Sequence, residues 1–218
     1  VQNAVTNINS IIAPAILNRD ISLSAVDQIL LDLDPTRQHS NLGANATLAV
    51  SLAAAMAEAS AHNKSLVSYL SGNGPLEIPM PMVNILSGGA HAGRTMDIQD
   101  VLVIPKGATS FTEAISWVVA IREAASVMGA AEGKLTHLIA DEGGLGIPFP
   151  SIPIACEFIV RVIQSVGLEP GRDVAIALDI AATQFFQNGD YVLATEDKKL
   201  SPEKLQKYLL DVVNNLPV

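Results

Sequence analysis

Residues 71–81, Ser-Gly-Asn-Gly-Pro-Leu-Glu-Ile-Pro-Met-Pro, gather three prolines and two glycines into one short stretch. Proline has no N–H to give to a ladder and glycine favours turns, so no regular element is expected to cross this row. It divides the chain into parts with different periodicities, 1–75 and 76–218. In the first part, Val5, Ile8, Ile11 and Ile12 predict a helix over 4–18, and Val26, Ile29, Leu30 and Leu33 predict one over 24–33. The segment 45–61 is rich in alanine, with Leu48, Leu52 and Met56 along one side, which predicts a buried helix packed closely on its neighbours.

In the second part, apolar runs at 82–86, 98–104, 135–140 and 174–178 read as strands. Helices fall between them. Ser110 with Glu113 opens a helix expected to stop at Gly129, 154–166 is a helix ended by Gly167, and Ser201-Pro202 starts the last one. Strands alternating with helices predict an α/β fold with parallel pairing.

The balance of 13 Lys+Arg against 22 Asp+Glu, a net charge of −9, excludes a nucleic-acid binder, whose affinity needs basic side chains on phosphates. The uncharged stretch 41–57 is interrupted by Asn41, Asn45, Thr47 and Ser51, short of the ~20 apolar residues of a membrane span. The first residues carry no secretory pattern, and a lone cysteine, Cys156, forms no intrachain disulfide. A cytoplasmic location without nucleic-acid or membrane partners is expected.

Two predicted strands run into acids: 135–140 into Asp141-Glu142-Gly143-Gly144, and 174–178 into Asp179. In a barrel of β-α units, side chains at the carboxyl ends of strands converge on one face. Carboxylates there suit Mg²⁺, a hard cation that prefers oxygen. The competing reading is that each acid caps a helix or solvates a loop. The run Leu86-Ser-Gly-Gly-Ala-His-Ala-Gly93, with Arg94 and Thr95, comes close to a phosphate-binding P-loop. It lacks the lysine, however, and a strand rather than a helix follows. His91, flanked by small residues, is expected to face a cavity or solvent. His137 is expected in the core or an interface, His39 and His62 in polar surroundings, and Cys156 in packing.

The segments Asn41-Leu-Gly-Ala-Asn-Ala-Thr-Leu-Ala-Val-Ser-Leu-Ala, PMPMVNILSGGAHAG, IQDVLVIP, ADEGG and ALDIAATQFF resemble, in this order, those of the enolases. The resemblance covers essentially the whole chain. It implies the helical part of an enolase N-terminal α+β domain (1–75), followed by the first portion of a TIM-like (β/α)8 barrel (76–218). The implied activity is the Mg²⁺-dependent interconversion of 2-phosphoglycerate and phosphoenolpyruvate in glycolysis, by a homodimer. On the matching positions, Glu142 stands for the general acid that helps hydroxide leave, and Asp179 for the first ligand of the catalytic Mg²⁺. His91 stands for the mobile-loop histidine near phosphate and leaving group, and Gln99 for an active-site glutamine. Asp100 occupies the place of a second catalytic glutamate. The α-proton of a carboxylate substrate is weakly acidic, so such chemistry needs metal charge at the developing oxyanion.

Three positions depart from the family. Asp100 is one methylene shorter than glutamate, roughly 1.5 Å of reach, which alone could cost on the order of 10²-fold in rate. Ala90 replaces a serine and Gln184 a glutamate. Residues 76–218 also fall short of the ~250 of a closed barrel. The resemblance places the family's other metal ligands, lysine base and phosphate-binding arginine beyond Val218, and its N-terminal sheet before Val1. None of Lys64, Lys106, Lys134, Lys198, Lys199, Lys204 and Lys207 ends a strand in the place of that base. The sequence therefore reads as an internal portion of an enolase. A second reading is a catalytically inactive, enolase-like structural or binding protein.

Overall fold

A computed structural model describes residues 1–19, 22–72 and 74–218; Asn73 of the turn-rich row lies outside them. The chain divides into two compact units, Val1–Glu77 and Ile78–Val218.

The first unit is helical: α1 (Gln2–Asn7), a π-helical turn (Ile8–Ile12), α2 (Ala13–Ile16), α3 (Leu23–Leu33), α4 (Ala44–Ala61) and α5 (Leu66–Leu70). The single helix expected over 4–18 is thus interrupted by wider turns just ahead of Pro14, which has no N–H to continue the ladder. Ser22 and Ser65 cap α3 and α5 by accepting the Ala25 and Ser68 N–H groups. The core consists of Ile12, Val26, Leu30, Leu42, Ala46 and Val50. The expected orientation of α4 is reversed. Its small face, Ala46, Val50, Ala55 and Ala59, is buried, whereas Leu48, Leu52 and Met56 are 69%, 47% and 56% exposed. Alanines let a neighbouring helix approach closely, and α4 turns that face inward. Between α3 and α4, buried Asp34 accepts from the N–H groups of Thr36, Asn41 and Leu42 and from the Thr36 hydroxyl.

The second unit carries β1 (Val83–Ser87), β2 (Asp100–Ile104), α6 (Phe111–Ala131), α7 (Ile152–Ser165), β3 (Ala175–Asp179), β4 (Phe186–Gln187), β5 (Asp190–Leu193), β6 (Lys198–Leu200) and α8 (Pro202–Asn215). One sheet has the order β1-β2-β3 and a second the order β4-β5-β6. The expected parallel pairing is corrected: β2 is antiparallel to both β1 and β3. The link from β1 to β2 contains no crossover helix, only the short 3-10 turn Ala90–Ala92, so β2 simply returns. After two helices the chain re-enters the sheet beside the end it left, with Ala175 opposite Ile104. β1 and β3 therefore share one direction, and Ser87, Asp100 and Asp179 form a single rung at their carboxyl ends.

No strand forms over 135–140. Leu135, Leu138 and Ile139 are exposed, and only Ile139 makes an isolated bridge, with Leu145. The neighbour of β1 is instead Leu145, which bridges Leu86 in parallel; Ser87 N–H donates to Leu145 O, and Leu145 N–H to Ile85 O. Helix α6 passes through Gly129 rather than stopping there. Gly129 is packed so tightly that a Cβ would stand 2.9 Å from Thr136 Cγ2, and Gly133, at φ +77°, ends the helix. By length and composition α6 alone among the described helices is apolar enough to cross a membrane. It carries Glu113, Arg122 and Glu123, and it buries Val118, Ile121 and Ala125 in the core with Phe158, Ile159 and Ile163 of α7.

Candidate active site

The site begins at the polar rung. In a regular strand Asn84 and Ser87 would face opposite sides, but the register slips by one residue between Asn84 and Leu86. This bulge turns both side chains toward Asp100. Asp100 is 1% exposed, and its Oδ1 accepts from Asn84 Nδ2, from Ser87 Oγ at 3.1 Å and faces His91 Nε2 at 3.2 Å. A buried carboxylate without such donors would cost several kcal/mol, so the rung is held as a unit.

His91 lies in the loop after β1, on the 3-10 turn, and its side chain is 16% exposed. Its ring does not face open space as the sequence suggested. It stands between two acids, with Nε2 toward Asp100 and Nδ1 3.7 Å from Glu142 Oε1. Two glycines permit the approach of this loop to β2. A Cβ at Gly88 would collide with Ile98 O and Met96 Cβ, and Gly89 (φ +54°, ψ −158°) adopts a conformation open only to glycine.

Glu142 sits in a tight turn rather than at a strand end. Gly143 N–H donates to Ala140 O and Ala140 N–H to Gly144 O, both at 2.9 Å. Arg122 of α6 reaches over the turn, its Nε and Nη2 each 3.3 Å from Gly143 O, and burial holds its pKa below the ordinary arginine value. Gly144 is the contact point, since a Cβ there would run into Ser87 Oγ and Asn84 Oδ1. The Glu142 turn borders a cleft of about 520 Å³ lined by Asn84, Val118, Arg122 and Gly143 among others. One ligand-capable atom from each of His91, Asp100 and Glu142 lies within 4.8 Å of the others.

The remaining two expected residues form an adjoining group. Gln99 Nε2 donates to Asp179 Oδ2 at 3.4 Å, and Asp179 Oδ1 accepts from Ala181 N–H at 3.0 Å. Asp179 is exposed at the end of β3. A hard oxygen donor at an open strand end fits Mg²⁺, which is held through one or two carboxylates and keeps several waters. The His91 group fits Mg²⁺ less well, because it offers a nitrogen and because Asp100 Oδ1 is already saturated with donors.

Asn84, Ser87, Arg122 and Gln184 were not singled out as site residues from sequence. Asn84 and Ser87 did carry a signal, as polar residues inside an apolar strand; Arg122 carried none. His137 is exposed, contrary to a core position, and His62 Nδ1 is 2.9 Å from Glu58 O. Cys156 is fully buried, and burial pushes its thiol up to about 12, which makes it inert packing.

Compared with known protein families, residues 75–218 match the model described as "Enolase, C-terminal TIM barrel domain". Residues 1–70 match "Enolase, N-terminal domain".

Proposed function

The chain belongs to the enolase family, and from that premise we propose that the protein bearing it catalyses the reversible dehydration of 2-phosphoglycerate to phosphoenolpyruvate with Mg²⁺. The observation that carries this reading is the convergence of His91, Asp100 and Glu142 beside the rung that ends in Asp179. Asp179 would hold the cation, which supplies positive charge to the developing oxyanion of the substrate carboxylate.

The chain's own residues serve the leaving-group side of the reaction. Glu142 gives a proton to the departing β-hydroxyl, a step that general-acid catalysis typically speeds by ~10²–10⁴. With a proton on Nε2, His91 donates to Asp100 and turns Nδ1 toward Glu142. Asp100 sets the tautomer, as Asn84 and Ser87 in turn set Asp100. The Gly88-Gly89 pair lets the His91 loop move onto substrate, closing the 3.7 Å between His91 and Glu142. Gln99 orients the Asp179 carboxylate.

The same reading includes a homodimer, a cytoplasmic location and a place in glycolysis. Formation of phosphoenolpyruvate, followed by its ultraviolet absorbance, is expected to require Mg²⁺ and to stop on chelation. Turnover that continues in excess chelator would overturn the metal requirement.

A further inference from the structure

Gln184 lies on the 3-10 turn Ala182–Phe185 that follows Asp179, and its side chain joins two other elements. Its Oε1 accepts from Ala90 N–H at 2.8 Å, and its Nε2 donates to Gln99 Oε1 at 2.7 Å. Gln99 Nε2 then donates to Asp179 Oδ2, and Asp179 Oδ1 accepts from Ala181 N–H, which returns the chain of bonds to the same turn. The orientation of both amides is fixed at its two ends. Ala90 N–H can only donate, so Gln184 must turn its oxygen to the loop; Asp179 as a carboxylate can only accept, so Gln99 must turn its nitrogen to it. The two amides then meet nitrogen to oxygen. The loop lies directly on the pair, since a Cβ at Gly89 would stand 2.8 Å from Gln184 Oε1 and 3.1 Å from Gln99 Cα.

We infer that Gln184 is the positioning residue of the His91 loop: through Ala90 N–H it holds the loop in the place where His91 stands between Asp100 and Glu142. Its relevance to turnover rests on the reading of His91 given under Proposed function, but its effect on the loop does not. A glutamate at this position, as the family resemblance gives, could still accept from Ala90 N–H but could not donate to Gln99 Oε1.

Trypsin cleavage of the whole chain after Arg94, an exposed residue at φ +57° in this loop, reads its opening by mass spectrometry. Gln184→Leu is expected to raise cleavage there about tenfold, the change in opening that follows loss of about one net hydrogen bond. Gln184→Glu is expected to stay within about threefold of the parent, because it keeps the acceptor. Cleavage after Arg37, exposed in the first unit, serves as the control for general unfolding. Equal cleavage of Gln184→Leu and the parent would overturn the inference, as would cleavage of Gln184→Glu as fast as Gln184→Leu. The unsubstituted chain offers a test that no folding defect can obscure. The Ala90 amide should exchange at least about tenfold more slowly than an unstructured amide, and exchange at the unstructured rate would overturn the inference. None of these readouts uses substrate. A loop that behaves as stated, together with normal turnover of Glu142→Gln, would leave Gln184 in place and remove the catalytic reading.

Discussion

Asp100 is where a difference of one methylene can be weighed against geometry. Reach alone would set its rate cost on the order of 10²-fold relative to glutamate. In the structure the shorter side chain still faces His91 at 3.2 Å, because the β1 bulge and the Gly88-Gly89 pair bring partners to it. The rung is closed, with Asp100 1% exposed and Ser87 fully buried. Asp100→Glu therefore adds volume to a filled place, and we expect it to destabilise the protein by ~1–3 kcal/mol. A fall of several degrees in Tm is the readout, and an unchanged or higher Tm would show room that the rung does not display. Gly144→Ala is expected to lower Tm in the same way. Its Cβ would enter the space of Ser87 Oγ and Asn84 Oδ1, while Leu145, paired on both sides with β1, cannot move away. This variant also separates the Glu142 turn from the rung, so its activity should fall together with its stability.

At the scale of elements, the α3–α4 connection predicts a dependence on pH. Burial pushes the Asp34 carboxyl up, but the bonds from Leu42, Thr36 and Asn41 together outweigh it and hold its pKa below the ordinary value. A depressed acid contributes stability that is full above its unfolded pKa and lost as pH falls through the folded one. Asp34→Asn should therefore be less stable than the parent at pH 7, and the gap should close as pH falls below about 4. A gap that stays constant through acid titration contradicts this. Elements were legible in the sequence wherever their signal was local: the serine caps at Ser110 and Ser201, the Gly167 stop, and the apolar runs of β1, β2 and β3. What was misread depended on contacts distant in sequence. Gly129 resembled a stop and proved to be a packing contact. The apolar segment 135–140 resembled a strand, yet Leu145 took the pairing with β1, and α4 buried its alanines in preference to its leucines. Glu142, Asp179, Gln99 and His91 were visible as motifs, whereas Arg122 and the amide pair around Gln184 emerge only when α6 and the turn after β3 fold onto them.

Over the whole molecule, large apolar side chains remain at the surface: Leu48, Leu52 and Met56 on α4, Val119 and Val127 on α6, and Leu138 and Ile139 before the Glu142 turn. Such faces favour association, so light scattering by the 218-residue chain should rise with concentration. A single scattering species of monomer mass across that range would contradict the expectation. On the proposed function, the second unit carries the proton-donating end of an enolase site, with Glu142 as the donor opposite His91 and Asp100. The most direct test is the rate of phosphoenolpyruvate formation from 2-phosphoglycerate with Mg²⁺, comparing the protein that bears this chain with its Glu142→Gln variant. A loss of ~10²–10⁴-fold with the fold intact is expected, and turnover by Glu142→Gln at the parent rate would overturn the role of Glu142 as proton donor.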